Sequence, residues 1–126
     1  MKLRIKGNSL RLRLSVAEVT QMAEIGKVEE HIGFGVAQSL TYQLVADDIL
    51  YLKANYENDC IRISLPRPQV MDWSKTDQVG IEGECSIGQG DTLHILVEKD
   101  FQCLTERPRE DESGLFENPR AGQGHA

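Results

Sequence analysis

Apolar and basic residues alternate at every second position over most of the first fourteen residues of the chain. Leu3 and Ile5 carry this pattern before a Gly7-Asn8 pair, and three leucines carry it afterwards. Two alternating segments on either side of a Gly-Asn pair predict a β-hairpin with one aliphatic face. The opposite face of this hairpin is entirely basic and carries Lys2, Arg4, Lys6, Arg11 and Arg13.

The pattern of the first hairpin recurs 51 residues downstream, which is the interval from Leu10 to Ile61. At the same interval Leu44 corresponds to Ile95, so the register continues without a gap. Stacked-repeat architectures need about three or more copies, and two copies therefore predict one pseudo-symmetric domain. The predicted single domain covers residues 1–104. Its first repeat covers about 1–47 and its second about 49–98.

One short helix is predicted in each repeat. Ser15 and Glu18 have the spacing of a capping box, and an apolar stripe at helical spacing follows over residues 16–25. In the second repeat Pro66 opens a helix at about 67–75. Two alternating segments flank each helix, so the order is strand, strand, helix, strand, strand, twice. These elements predict an α+β fold in which eight strands form an antiparallel β-barrel or half-barrel.

Length, hydropathy and cysteine usage limit the class of protein. A chain of 126 residues is expected to form one domain. No apolar run approaches the ~18 residues of a membrane span, so we expect no membrane insertion. The three cysteines have no CxxC spacing, which indicates reduced thiols and predicts a cytoplasmic protein.

The charge of the chain is negative overall and unevenly distributed. The net charge of −6 disfavours indiscriminate binding to nucleic acid. The first residues are basic, whereas residues 105–126 are acidic and lack periodicity. We expect this tail to be mobile or docked at the periphery, in contact with the protein's own barrel or with a partner.

The segment from Gly7 to Leu14, followed by a short helix, resembles the swapped-hairpin fold of AbrB- and MazE-type transcription factors. That family has the order strand, strand, helix, strand, strand, and its dimers interleave two such units into one barrel. The resemblance implies that a tandem copy builds a pseudo-dimer within one chain. It also implies DNA contacts by the arginines of the first hairpin.

The opening Met1-Lys2, continued by Arg4-Ile5-Lys6-Gly7-Asn8-Ser9, also resembles an uncharacterised bacterial family of unknown function. Members end in a segment of the type Asp100-Phe101, Cys103-Leu104, Phe116, Asn118-Pro119. This resemblance covers the whole chain and implies no activity.

The basic face of the first hairpin is the first candidate site. Arginines and lysines on such strands reach phosphates and base edges, and Arg62 joins them if the barrel closes. The alternative is a solvated sheet face whose charges deter edge-to-edge pairing. We therefore expect a small regulator without catalytic activity or cofactor, which binds DNA or a protein. The candidate nucleic-acid or anion-binding residues are Lys2, Arg4, Lys6, Arg11, Arg13 and Arg62.

A second hypothesis is an enzyme. Glu82 and Glu84 form a Glu-x-Glu pair on a predicted strand, and a basic lining beside such a pair resembles the triphosphate-tunnel enzymes. In those enzymes cations hold the phosphates and carboxylates hold Mg²⁺ or Mn²⁺. The alternative is ordinary cross-strand ion pairing. This hypothesis predicts a phosphate-binding or metal-dependent triphosphate-hydrolysing half-barrel.

Overall fold

Eight strands and two helices form the part of the chain that the computed structural model describes, residues 1–101 and 116. Both predicted helices are present, and the α+β class is confirmed. The elements are β1 (Lys2–Lys6), β2 (Ser9–Leu14), α1 (Val16–Glu24), β3 (Lys27–Gly35), β4 (Gln38–Asp47), β5 (Lys53–Glu57), β6 (Cys60–Pro66), α2 (Arg67–Lys75), β7 (Gly80–Gly88) and β8 (Asp91–Lys99).

The strands form two four-stranded sheets, ordered β1-β2-β8-β7 and β3-β4-β6-β5. Each sheet joins two antiparallel hairpins through a parallel pair, β2 with β8 or β4 with β6. The prediction of an antiparallel barrel was wrong in this respect, because both sheets are mixed and neither closes. The reason is that each sheet takes one hairpin from each half of the chain. The two strands that meet at its centre both run towards the helices.

The two halves have the same element order, but their spacing differs from the gap-free prediction. The interval of 51 residues holds from β1 to α1, where Leu12 and Ile63 take equivalent places. Beyond the helices it becomes 53, the interval from Leu44 to Val97. The segment between α2 and β7 is two residues longer than the one between α1 and β3. Because the two intervals differ by two residues, which is one full period of strand alternation, the positions predicted to face inward still do so.

Helix α1 begins as the sequence predicts. The Ser15 hydroxyl accepts a hydrogen bond from the Glu18 backbone N–H at 3.3 Å, and the Glu18 carboxylate accepts one from the Ser15 N–H at 2.9 Å. This capping box satisfies two N–H groups at the helix start. Val19 and Met22 are the residues of α1 that become buried.

The core lies between the inward faces of the two sheets and is covered at one end by the helices. Trp73 of α2 is fully buried there, and its indole N–H donates to the Val79 carbonyl at 3.0 Å. Each helix connects one sheet to the other, so all four hairpin turns lie at the opposite end. On the inward faces of β2, β3, β7 and β8, burial decreases from the helical end towards the turns. The fold is therefore closed at one end and open at the other.

The predicted tail, residues 105–126, lies outside the described residues except for Phe116. The ring of Phe116 meets that of Phe101 edge to face at 5.9 Å, and its N–H donates to the Asp100 carbonyl at 2.8 Å. The Lys99 ammonium lies 5.5 Å from the centre of the Phe116 ring. One residue of this segment is thus attached to the end of β8.

Within the described part of the chain, neither helix has the length and apolar character needed to cross a bilayer.

Candidate anion-binding surface

Basic residues lie directly opposite one another on the outer face of the first sheet. In the β1–β2 hairpin Lys2 is paired with Arg13, and Arg4 is paired with Arg11. Like charges at directly opposite positions of an antiparallel pair destabilise it unless an anion lies between them. The hairpin therefore requires neutralising groups from elsewhere.

Glu98 of β8 supplies the first of these groups. Its Oε1 accepts hydrogen bonds from Nε of Arg11 at 2.6 Å and from Nε of Arg13 at 2.8 Å. The parallel register places Glu98 beside Arg13, and the Glu98 side chain is only 12% exposed. Asp100 supplies a second carboxylate, with Oδ2 3.0 Å from Nζ of Lys2. Three of the predicted site residues are thus already in contact with carboxylates.

Arg4 and Lys6 differ from the other cations of the hairpin. Among the residues that the structure describes, neither forms an ion pair with a carboxylate. Together with Ser9 and Arg11 they line a depression of about 250 Å³. We call these four residues the cationic corner: Arg4, Lys6, Ser9 and Arg11.

The other half of the same face is acidic. Glu82 and Glu84 lie on β7, where Oε1 of Glu82 is 2.8 Å from Nε2 of His94 and Oε1 of Glu84 is 3.8 Å from Nδ1. Leu96 and Glu98 of β8 separate this acidic group from the arginines. Within residues 1–101 and 116, no three histidine, cysteine or acidic side chains are placed to hold a metal ion.

Arg62 lies apart from the other candidate residues, on the outer face of the second sheet. Its Nε donates to Oε1 of Gln43 at 2.9 Å, and the Gln43 amide donates to the carboxylate of Glu29. These groups line a groove of about 300 Å³ on that sheet. Nδ1 of His31 is hydrogen bonded to Oγ1 of Thr41 at 2.8 Å in the same groove.

The hydrogen bond from Gln43 favours the ionised form of Glu29. It lowers the pKa of the Glu29 carboxyl below its ordinary value, and nearby Lys27 and His31 lower it further. Glu29 is therefore ionised at neutral pH and remains an acceptor for these neighbours. Arg62 is part of this polar network rather than of the basic hairpin surface.

A protein-family model matches residues 1–120 of the chain, and its description is a family of unknown function, DUF7009. The chain belongs to the DUF7009 family. No curated protein and no solved structure matches it significantly. The match to the DUF7009 model thus covers nearly all of the chain.

The sequence pattern placed Glu98 and the arginines on a common polar surface, but it did not reveal which side chains contact Arg11 and Arg62. Glu98 was recognisable as a polar position on an alternating strand, but its contact with Arg11 spans 87 positions. Gln43 is a neutral residue in an alternating strand, so its bonds to Arg62 and Glu29 left no signal in the pattern. Both contacts depend on which strands become neighbours.

Proposed function

We propose that this protein is a binding module without catalytic activity, and that the cationic corner binds an acidic segment of a partner protein. The observation that carries this proposal is the pair Arg4 and Arg11, two cations directly opposite each other. Arg11 is paired with Glu98, which it shares with Arg13, whereas Arg4 and the adjacent Lys6 have no carboxylate partner among the described residues. A carboxylate or phosphate of a partner would supply the missing negative charge.

The charge of the whole face favours a short acidic peptide over a DNA duplex. Duplex DNA carries about one negative charge per 1.7 Å and needs an extended basic track. Here the basic strands β1 and β2 are followed by β8 and β7, which carry Glu98, Glu82 and Glu84. A duplex across the sheet would approach all three carboxylates, whereas a peptide along β1 would contact Arg4 and Lys6 without crossing to Glu82 and Glu84 on β7.

Triphosphate hydrolysis receives less support from the same face. The alternative requires Glu82 and Glu84 to hold Mg²⁺ or Mn²⁺ near the arginines. On this surface the two glutamates are beside His94, on the far side of β8 from Arg11 and Arg13. We therefore prefer the binding module.

The experiment uses a fluorescent deca-glutamate peptide and measures its anisotropy at low salt. We expect the wild type to bind it and Arg4→Ala to weaken binding by about fivefold, because a surface cation in a charged contact is lost. Lys53→Ala is the matched control, since Lys53 is an exposed cation on β5 of the other sheet. No binding by the wild type would contradict the proposal, and tighter retention of duplex DNA would contradict the preference for a protein.

We also infer that the two halves arose by internal duplication and that the protein works in the cytoplasm. Equal intervals through β1, β2 and the helix, and again through the second hairpin, support duplication. An experimental structure in which 53–66 and 80–99 superpose poorly on 2–15 and 27–46 would contradict the duplication.

The free thiols of Cys60 and Cys85 support a reducing compartment, which cell fractionation would test.

A further inference from the structure

Apolar side chains are exposed at the open end of the fold, where the hairpin turns lie. Inward-facing positions there remain in contact with solvent, whereas the same faces are buried near the helices. Ile5 on β1 is 59% exposed and Tyr56 on β5 is 65% exposed. Phe34 on β3 is 66% exposed and Ile87 on β7 is 53% exposed. We call these four residues the apolar mouth: Ile5, Phe34, Tyr56 and Ile87.

The mouth opens into a cleft between the two sheets. This cleft has a volume of about 350 Å³ and takes side chains from both sheets, among them Leu10 and Leu93 of the first and Ile61 of the second. Tyr56 and Ile87 also line it. A contiguous exposed apolar patch is a common feature of interaction sites.

The residues of the mouth occur in equivalent pairs. Ile5 and Tyr56 take the same place in their hairpins at the interval of 51, and Phe34 and Ile87 do so at 53. An approximate two-fold rotation within the chain therefore relates one half of the apolar mouth to the other. Such a surface can meet a second copy of itself in an isologous contact, where each side chain finds an apolar neighbour.

The turns beside the mouth break this internal symmetry by charge. Lys6 ends β1, and the equivalent position at the end of β5 is Glu57. Asp59 in the β5–β6 turn adds a second carboxylate, opposite in sign to the basic hairpin. Among the described residues neither Lys6 nor Glu57 forms an ion pair, so both charges are available to a neighbour.

We propose that two copies of this chain associate mouth to mouth, with the β1–β2 turn of each copy against the β5–β6 turn of the other. A two-fold rotation in this orientation covers the apolar mouth and forms two contacts between Lys6 and Glu57 of the second copy. The alternative orientation would place Lys6 against Lys6 and is disfavoured by repulsion. Charge complementarity between Lys6 and Glu57 thus favours a second copy of the chain as the partner and determines its orientation.

The test measures the molar mass of the full chain by light scattering from about 1 to about 200 µM, the range of a moderate dimer. We expect a dimer for the wild type and a monomer for Phe34→Ser and Tyr56→Ser. Ile25→Ser is the matched control, because Ile25 is an exposed apolar residue at the helical end. A control that dissociates as much as the mouth variants overturns the proposal.

A charge exchange tests the orientation. Lys6→Glu or Glu57→Lys alone should weaken the dimer about tenfold, and the double variant should restore affinity to within about threefold of the wild type. Failure of the double variant to restore it overturns the proposal. A wild type that remains monomeric at all concentrations also overturns the proposal. If that monomer binds an apolar fluorescent probe at Tyr56, the mouth is a ligand site rather than a dimer interface. Lys6 belongs to both the cationic corner and the proposed dimer contact, whereas Arg4 belongs to the corner alone. Arg4→Ala should therefore leave the mass unchanged, so failure here is distinct from failure of peptide binding.

Discussion

The Nε of Arg13 lies 2.8 Å from Oε1 of Glu98, across a parallel pair of strands. The same oxygen accepts from Arg11, so one carboxylate pairs with two arginines that β-strand alternation places on one face, and it balances one of their two positive charges. The basic surface expected from the first hairpin is therefore reduced to its end near the turn.

Replacing Glu98 should release both arginines. In Glu98→Gln the side chain keeps its shape but loses its charge, and we expect the protein to elute from a heparin column at higher salt. Because the arginine side chains are 36% exposed, solvent screens the pairs and the free energy of unfolding should fall by only about 1 kcal/mol. Urea denaturation measures this second effect.

The matched control for Glu98 is Glu82→Gln. It removes one negative charge from the same face but leaves the contacts of Arg11 and Arg13 intact. Its elution should shift less than that of Glu98→Gln. Equal shifts in the two variants would mean that net charge, rather than release of the arginines, determines retention.

Trp73→Ala should destabilise the protein strongly. The indole is fully buried between the helices and the sheets, and its N–H bond to the Val79 carbonyl is lost as well. Removal of a buried tryptophan costs about 3–5 kcal/mol, measurable by urea denaturation. Tyr51→Ala is the control, because Tyr51 is largely exposed and should change the unfolding free energy by less than about 0.5 kcal/mol. A small effect at Trp73 would contradict the proposed core.

Cys85 should react slowly with iodoacetamide at neutral pH. Burial disfavours the thiolate and raises the pKa of Cys85 above its ordinary value, and the thiol donates to the Leu52 carbonyl at 3.6 Å. The raised pKa stabilises the fold fully below the unfolded pKa, and this contribution is lost as pH rises through the folded pKa. The variant Cys60→Ser/Cys103→Ser isolates this thiol for measurement.

The rate of alkylation of Cys85 is measured against pH in this double variant, both folded and in urea. The midpoint should lie at higher pH in the folded protein than in the unfolded chain. Coinciding midpoints would show that burial does not affect this thiol.

Local structure was determined by the sequence itself. Alternation at every second residue determines which side chains of a strand share a face. The capping box of Ser15 and Glu18 determines where α1 begins. These features depend on neighbours within a few residues. Strands, helices and the sidedness of the basic hairpin could therefore be predicted from the pattern.

Only the tertiary structure decided which faces became neighbours. Alternation is the same for parallel and antiparallel pairs, so it could not reveal that β2 lies beside β8 and that Arg11 meets Glu98. Nor could it reveal that Arg62 belongs to the other sheet, because the pairing follows from packing of both halves around one core. Pairing between strands distant in sequence depends on long-range burial, and the electrostatic environment of each arginine depends on that pairing.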